Sequence, residues 1–104
     1  MTNKINVEYL SAEIDIWEKE LSNKKEQKTS VHLKKEKLLQ RTIILNTVHS
    51  KVANEKTKKA IENLIEELSR QSNGLENDLK NIESDINNYQ EILDSLSKIK
   101  KEVL

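Results

Sequence analysis

The sequence predicts an all-α protein: an antiparallel two-helix hairpin, coiled-coil-like in its packing, that completes a helical bundle with a partner. The chain of 104 residues contains no proline and a single glycine, so it lacks the residues that turns between strands usually require. Apolar residues recur at alternating steps of three and four, the repeat of coiled-coil helices. Only 35% of the residues are apolar, below the roughly 45–50% of a globular domain. We therefore interpret residues 1–104 as a single helical-hairpin domain whose core is shared with another chain.

The second half of the chain carries the clearer heptad pattern. An apolar seam runs from Ile61 to Val103, interrupted only by Ser72 and Lys100. A 3.5-residue period places these side chains at the a and d positions of one long helix, which we expect over about residues 54–103. The residues of this seam that we assign to the hairpin core are Ile65, Leu68, Leu75, Leu79, Ile82, Ile86, Tyr89, Leu93 and Leu96.

The first half repeats the period more weakly and predicts a helix over about residues 4–47. Its core residues are Leu10, Ile14, Leu21, Leu38 and Leu45. Three seam positions between them hold Lys24, Lys28 and Lys35. Lysine stems can lie along apolar surface while their ammonium groups stay in water, or the ammonium groups can face carboxylates of a partner.

The two seams are out of phase, which predicts a turn at about residues 46–55, with Asn54 as the N-cap of the second helix and Ser50 as the alternative cap. A hairpin with this turn places residue i near residue 105 − i. The basic stretch 24–41 then lies beside the acidic stretch 64–81, and Trp17 lies near Tyr89. The alternative is one bent helix of about 100 residues that dimerises, with Gly74 as a local weak point.

Composition and charge exclude several functions. Without cysteine the chain has no disulfide and no thiolate ligand or nucleophile. His32 and His49 lack further ligands at metal-binding spacing, and two thin helices offer no pocket that would shift a catalytic pKa. We therefore expect no enzyme activity, no metal and no cofactor. The net charge is zero, and we expect neither nucleic acid nor membrane insertion. No apolar leader segment is visible, so we expect a cytoplasmic protein whose export, where it occurs, uses a leaderless route.

Several apolar residues fall outside the two seams and predict a partner interface. Leu33, Ile44 and Val48, with Leu39 and Ile43 close by, form a second apolar strip near the predicted turn. Ile92 and Ile99 lie outside the seam of the second helix. Trp17 and Tyr9 are the aromatic candidates for interface anchors. Two helices alone cannot bury both of their faces, so we expect a helical protein partner, with a second copy of the chain as the alternative.

A leaderless, cysteine-free chain of two long helices with a central turn resembles the WXG100/ESAT-6-like helical-hairpin proteins of Gram-positive type VII secretion. It resembles in particular the alpha-helical partner proteins associated with LXG toxins. The family's Trp-x-Gly motif is absent from the turn, and Trp17-Glu18-Lys19 lies within the first helix instead. The family's export signal places an acid four residues after an aromatic residue, whereas Tyr89 is followed at that spacing by Leu93.

The resemblance implies a non-enzymatic adaptor or targeting chaperone. It would bind the helical N-terminal domain of a type VII-secreted, LXG-like toxin and support its export, while another subunit supplies the signal. Two alternatives stay open on the sequence. One is a structural homo-oligomeric coiled-coil protein of a phage or of the cell, and the other is a small helical regulator that binds nucleic acid through residues 24–41.

Overall fold

The computed structural model describes residues 4–104, and in that range it contains two α-helices and no strand. Helix α1 spans Val7–Lys51 and helix α2 spans Glu55–Val103. The two helices pack against each other in antiparallel orientation. The predicted all-α helical hairpin is therefore confirmed.

Both helices begin at an asparagine cap. The Oδ1 atom of Asn6 accepts hydrogen bonds from the backbone N–H groups of Glu8 at 2.9 Å and Tyr9 at 3.3 Å. Asn54 makes the same two bonds to the first turn of α2, at 2.9 and 3.2 Å. Each cap satisfies backbone donors that have no partner inside the helix. The cap at Asn6 explains why α1 begins at Val7 and not at about residue 4.

The connection between the helices is shorter than the predicted turn, because only residues 52–54 lie between the end of α1 and the start of α2. Helix α1 continues to Lys51 instead of ending near residue 47. Thr47 and Ser50 do not break the helix, since their hydroxyl groups donate to backbone carbonyls of the preceding turn at 3.0 and 2.7 Å. None of the described residues has a positive φ angle, so this turn forms without glycine.

The residues group into two compact units. Unit 1 contains residues 1–28 and 81–104, of which 4–28 and 81–104 are described. Its core is a buried cluster of Leu10, Ile14, Leu21 and Leu93. Trp17 packs on this cluster with its ring centroid 5.2 Å from that of Tyr89, edge to face at 66°. The predicted proximity of these two aromatic residues is confirmed.

Unit 2 contains residues 29–80. Its buried side chains, Ile61, Leu68 and Leu79, all belong to α2, while α1 contributes half-buried residues such as Leu38 and Leu45. This asymmetry follows from the sequence, because polar residues interrupt the α1 seam. In both units, none of the residues assigned above to the hairpin core is exposed.

The pairing of the helices in unit 2 differs from the predicted register. A register of i with 105 − i would place Lys35 beside Arg70, but Lys35 pairs with Glu76, six residues further along α2. His49 shows the same displacement, because it contacts Glu62. Residues 55–60 carry no large apolar side chain, so the α2 seam begins only at Ile61. Packing of the α2 seam against the α1 seam therefore displaces α2 along α1 by six residues relative to the predicted register.

Candidate partner-binding surface

The lysines at the α1 seam are paired within the hairpin. Each of the three has a carboxylate partner on α2, contributed by the same unit. The pairs are Lys24 with Asp85 at 3.1 Å and Lys28 with Glu83 at 3.5 Å in unit 1, and Lys35 with Glu76 in unit 2. The ammonium groups of these three lysines therefore pair with carboxylates of the same chain.

Two of these pairs shift the pKa of one partner. The hydrogen bond to Asp85 raises the pKa of Lys24 above its ordinary value of 10.5. The hydrogen bond from Lys35 lowers the pKa of Glu76 below its ordinary value of 4.5. Both shifts favour the charged forms. The pairs are solvent-exposed, so each contributes little to stability.

The two histidines lie apart on unit 2. His49 contacts Glu62 at 3.1 Å, and Lys59 lies 4.0 Å from the same carboxylate. His32 lies earlier in α1, where it lines a groove of about 400 Å³ together with Leu39 and Ser72. Within residues 4–104, no group of three or more potential ligands is arranged to hold a metal ion.

The large apolar side chains that remain exposed lie mainly on α1. Tyr9 has an exposed fraction of 76%, Leu33 of 60% and Ile44 of 58%. In the described part of α2, by contrast, only Leu64 and Val103 are exposed residues of this kind. The other exposed residues of this kind on α1 are Val7, Ile16, Leu39, Ile43 and Val48. The outer face of α1 is therefore the candidate partner-binding surface.

The structure separates the predicted interface residues into two groups. Tyr9, Leu33, Leu39, Ile43, Ile44 and Val48 are exposed. Trp17 and Ile99 instead pack against the buried cluster of unit 1, and Ile92 is half-buried. Ile16, which the sequence places outside the α1 seam, is also exposed. Its position two residues after the seam residue Ile14 points its side chain away from the partner helix.

The two edges of unit 2, where α1 and α2 meet, differ in polarity. One edge carries both inter-helix ion pairs of the unit, Lys35–Glu76 and His49–Glu62. The other edge is an open groove of about 540 Å³. The groove is lined by Lys34, Lys37, Leu38, Gln71, Gly74, Leu75 and Asp78. Grooves of about 400 and 380 Å³ lie beside the ion pairs of the first edge, so the two edges differ mainly in their charge pairing.

Across residues 4–104, neither helix is sufficiently long and apolar to cross a membrane. Comparison with protein-family models, curated proteins and solved structures found no match to the chain.

Proposed function

We propose that this protein is a non-enzymatic adaptor, or targeting chaperone, of the WXG100-like type. It binds the helical N-terminal domain of an LXG-like toxin of type VII secretion and supports its export. The observation that carries the proposal is the set of exposed leucine, isoleucine and valine side chains on α1. A hairpin with only two helices has no element to cover these side chains, and helices from another protein would bury them.

The expected energetics are compatible with specific binding. Burying a leucine, isoleucine or valine side chain contributes roughly 1.5–3 kcal/mol. Five such residues on α1 near the turn are 40–60% exposed, so covering them contributes about half of that amount for each: Leu33, Leu39, Ile43, Ile44 and Val48. Association itself costs about 4–15 kcal/mol. These apolar contacts therefore offset the lower part of that cost, and complementary charges would add selectivity.

The proposed mechanism is completion of a helical bundle. The toxin's long helices would lie along α1 and keep their own apolar faces out of water until export. In this scheme the hairpin acts in the cytoplasm, and any export of the hairpin itself follows the leaderless type VII route. The missing Trp-x-Gly turn and export signal favour an accessory partner over a self-sufficient secreted substrate.

Co-expression with the proteins encoded by neighbouring genes tests this function. The full chain carries an affinity tag, and each neighbouring protein with a long helical domain is expressed beside it. We expect one of these helical domains to co-purify in a defined stoichiometry, and Ile44→Asp to abolish that co-purification. Asn63→Asp on the exposed side of α2 is the matched control and should leave it unchanged. If no neighbouring helical protein co-purifies, the adaptor function is wrong.

A homo-oligomeric structural protein is the second candidate, since a second copy could also cover the exposed apolar side chains on α1. Light scattering of the purified chain distinguishes the two candidates. A stable dimer or tetramer at micromolar concentration that excludes the helical partner would favour the structural role.

A further inference from the structure

One line of side chains on α1 changes from cationic to apolar within unit 2. Lys34, Lys37, Arg41, Ile44 and Val48 follow each other at steps of three and four residues. This spacing places them in one row along a helix. We call this row the mixed strip. Its cationic part borders the open groove, because Lys34 and Lys37 both line it.

The cations of the mixed strip are not neutralised by the hairpin. Lys34, Lys37 and Arg41 form no ion pair within the described part of the chain, unlike the three seam lysines. The register in which Lys35 meets Glu76 explains this, because it brings Gly74 opposite Lys37 and the cation Arg70 opposite Arg41. Asp78 is the one carboxylate residue among those lining the groove. The groove edge therefore carries an excess of positive charge.

Gly74 leaves the wall of this groove open. It lies inside α2 with helical backbone angles, since none of the described residues has a positive φ. A Cβ atom added to Gly74 would meet no other atom within 4 Å. The hairpin therefore does not need a glycine here for its own packing. A residue without a side chain does allow another backbone to approach closely.

We propose that the mixed strip and the adjoining groove are the docking site for an acidic amphipathic helix of a partner protein. Carboxylates of that helix pair with Lys34, Lys37 and Arg41, while its apolar side chains cover Ile44 and Val48. This inference rests on the proposed function, and it specifies where the partner binds and which charge it carries. Leu64 is exposed on α2 and lies one heptad before the groove residue Gln71, a spacing that places it on the same side of α2, so it extends the apolar end of the site.

Charge complementarity selects this occupant over a second copy of the chain. Within unit 2, α1 carries five lysine or arginine residues against the single acid Glu36, so two α1 helices would repel each other. Helix α2 is more acidic, but in unit 2 its one exposed large apolar residue among those described is Leu64. Within unit 2, neither helix of a second copy thus combines acids with an apolar row. Nucleic acid fits less well, because two of the five residues of the strip are aliphatic and the strip offers no aromatic stacking surface.

Two synthetic peptides test the site with the full chain. Both are about 21 residues long, or three heptads, with leucine at the same a, d and e positions. One has glutamate at its charged positions and the other has lysine. Fluorescence anisotropy of the labelled peptides reports binding. We expect the glutamate peptide to bind with an affinity that falls as salt rises, and the lysine peptide not to bind. Absence of binding by the glutamate peptide, or equal binding of both peptides, overturns the proposal.

Variants then locate the binding site. The triple variant Lys34→Glu, Lys37→Glu, Arg41→Glu should weaken the glutamate peptide at least about tenfold and should bind the lysine peptide instead. The control, Lys4→Glu, Lys19→Glu, Lys101→Glu, changes the net charge equally on exposed residues of unit 1 and should bind like the wild type. If the control loses as much affinity as the triple variant, the charge of the whole chain governs binding and the site is wrong.

Gly74→Gln separates docking from folding. Glutamine is a better helix former than glycine, so the thermal midpoint should rise while the affinity for the glutamate peptide falls several-fold. A rise in both quantities, or an unchanged affinity, would contradict the role of the groove. The triple variant is compared with the wild type only if the two circular dichroism spectra match. Ile44→Ser provides a second test that leaves the charge unchanged, and it should also lose affinity for the glutamate peptide.

The same variants distinguish this inference from the proposed function. If a neighbouring helical protein co-purifies and stays bound to the triple variant, the adaptor function holds and this site is wrong. If no neighbour binds but the glutamate peptide requires the mixed strip, the site holds and the adaptor function is wrong. Binding of phosphatidylserine vesicles or duplex DNA through Lys34, Lys37 and Arg41, without binding of the glutamate peptide, would overturn the proposal that a helix occupies this site.

Discussion

Truncation of Leu68 gives a quantitative test of the hairpin core. Leu68 is the most completely buried side chain described, with 1% of its surface exposed. Leu→Ala substitutions in cores cost about 2–5 kcal/mol, depending on how far the site collapses around the lost atoms. A two-helix unit can relax into the space more easily than a thick core, so we expect the lower end, about 2–3 kcal/mol. This loss is a large share of a typical stability of about 5–15 kcal/mol.

Urea unfolding followed by far-ultraviolet circular dichroism measures this effect. The matched control is Leu33→Ala, which makes the same chemical change in a helix at a side chain with 60% exposure. We expect the control to stay within about 0.5 kcal/mol of the wild type. Equal losses for Leu68→Ala and Leu33→Ala would refute the reasoning, because they would mean that Leu68 is not the buried residue of the pair.

Three further substitutions test the helix, the cap and an ion pair. Gly74→Ala should raise the free energy of unfolding by about 1 kcal/mol, measured by urea unfolding, because the added methyl group enters open space; a decrease would contradict the helical conformation. Asn54→Ala should lower it by about 1 kcal/mol in the same assay, since two backbone donors lose their acceptor; an unchanged value would show that the cap is dispensable. Because the pKa of Glu76 is lowered by Lys35, the stability from this pair is present above pH 4.5 and is lost as the pH falls through the folded-state pKa. Lys35→Gln should therefore make acid titration of the unfolding midpoint less steep below pH 4.5, and an unchanged slope would show that the pair does not couple to folding.

The two helices were predictable because a 3.5-residue apolar period has a direct geometric meaning. Their ends were less predictable, since no proline or glycine marks the region between residues 46 and 55. Thr47 and Ser50 suggest a turn in sequence, yet in α1 their hydroxyl groups bond to helix carbonyls. Asn54 was recognisable as a cap because its side chain and the acidic Glu55 suit a helix start.

The register was not predictable from charge alone. Exposed ion pairs contribute too little to choose between registers, and the prediction assumed that the seams meet symmetrically about the turn. The start of the α2 seam at Ile61 was visible in the sequence, and it indicates the register that the helices adopt. The register then decides which lysines are paired, so the sequence identified a basic stretch but not the separate roles of Lys35 and Lys37.

The candidate surface was predictable where side chains lie far from the seam, as for Leu33 and Ile44. It was less predictable beside the seam. Ile99 is one residue before the seam position Lys100, and it packs on the buried cluster of unit 1. A side chain next to a polar seam residue can take over part of the core, which heptad position alone does not reveal.

The two units differ in how they can form along the chain. Unit 2 is one continuous stretch, residues 29–80, whose halves meet across the three-residue turn. Unit 1 joins residues on either side of that stretch, so closing it alone would mean closing a loop of more than 50 residues. Formation of unit 2 first removes most of that entropic cost. During synthesis, the mixed strip and its groove can therefore assemble while residues 81–104 are still inside the ribosome, before the aromatic contact between Trp17 and Tyr89 exists.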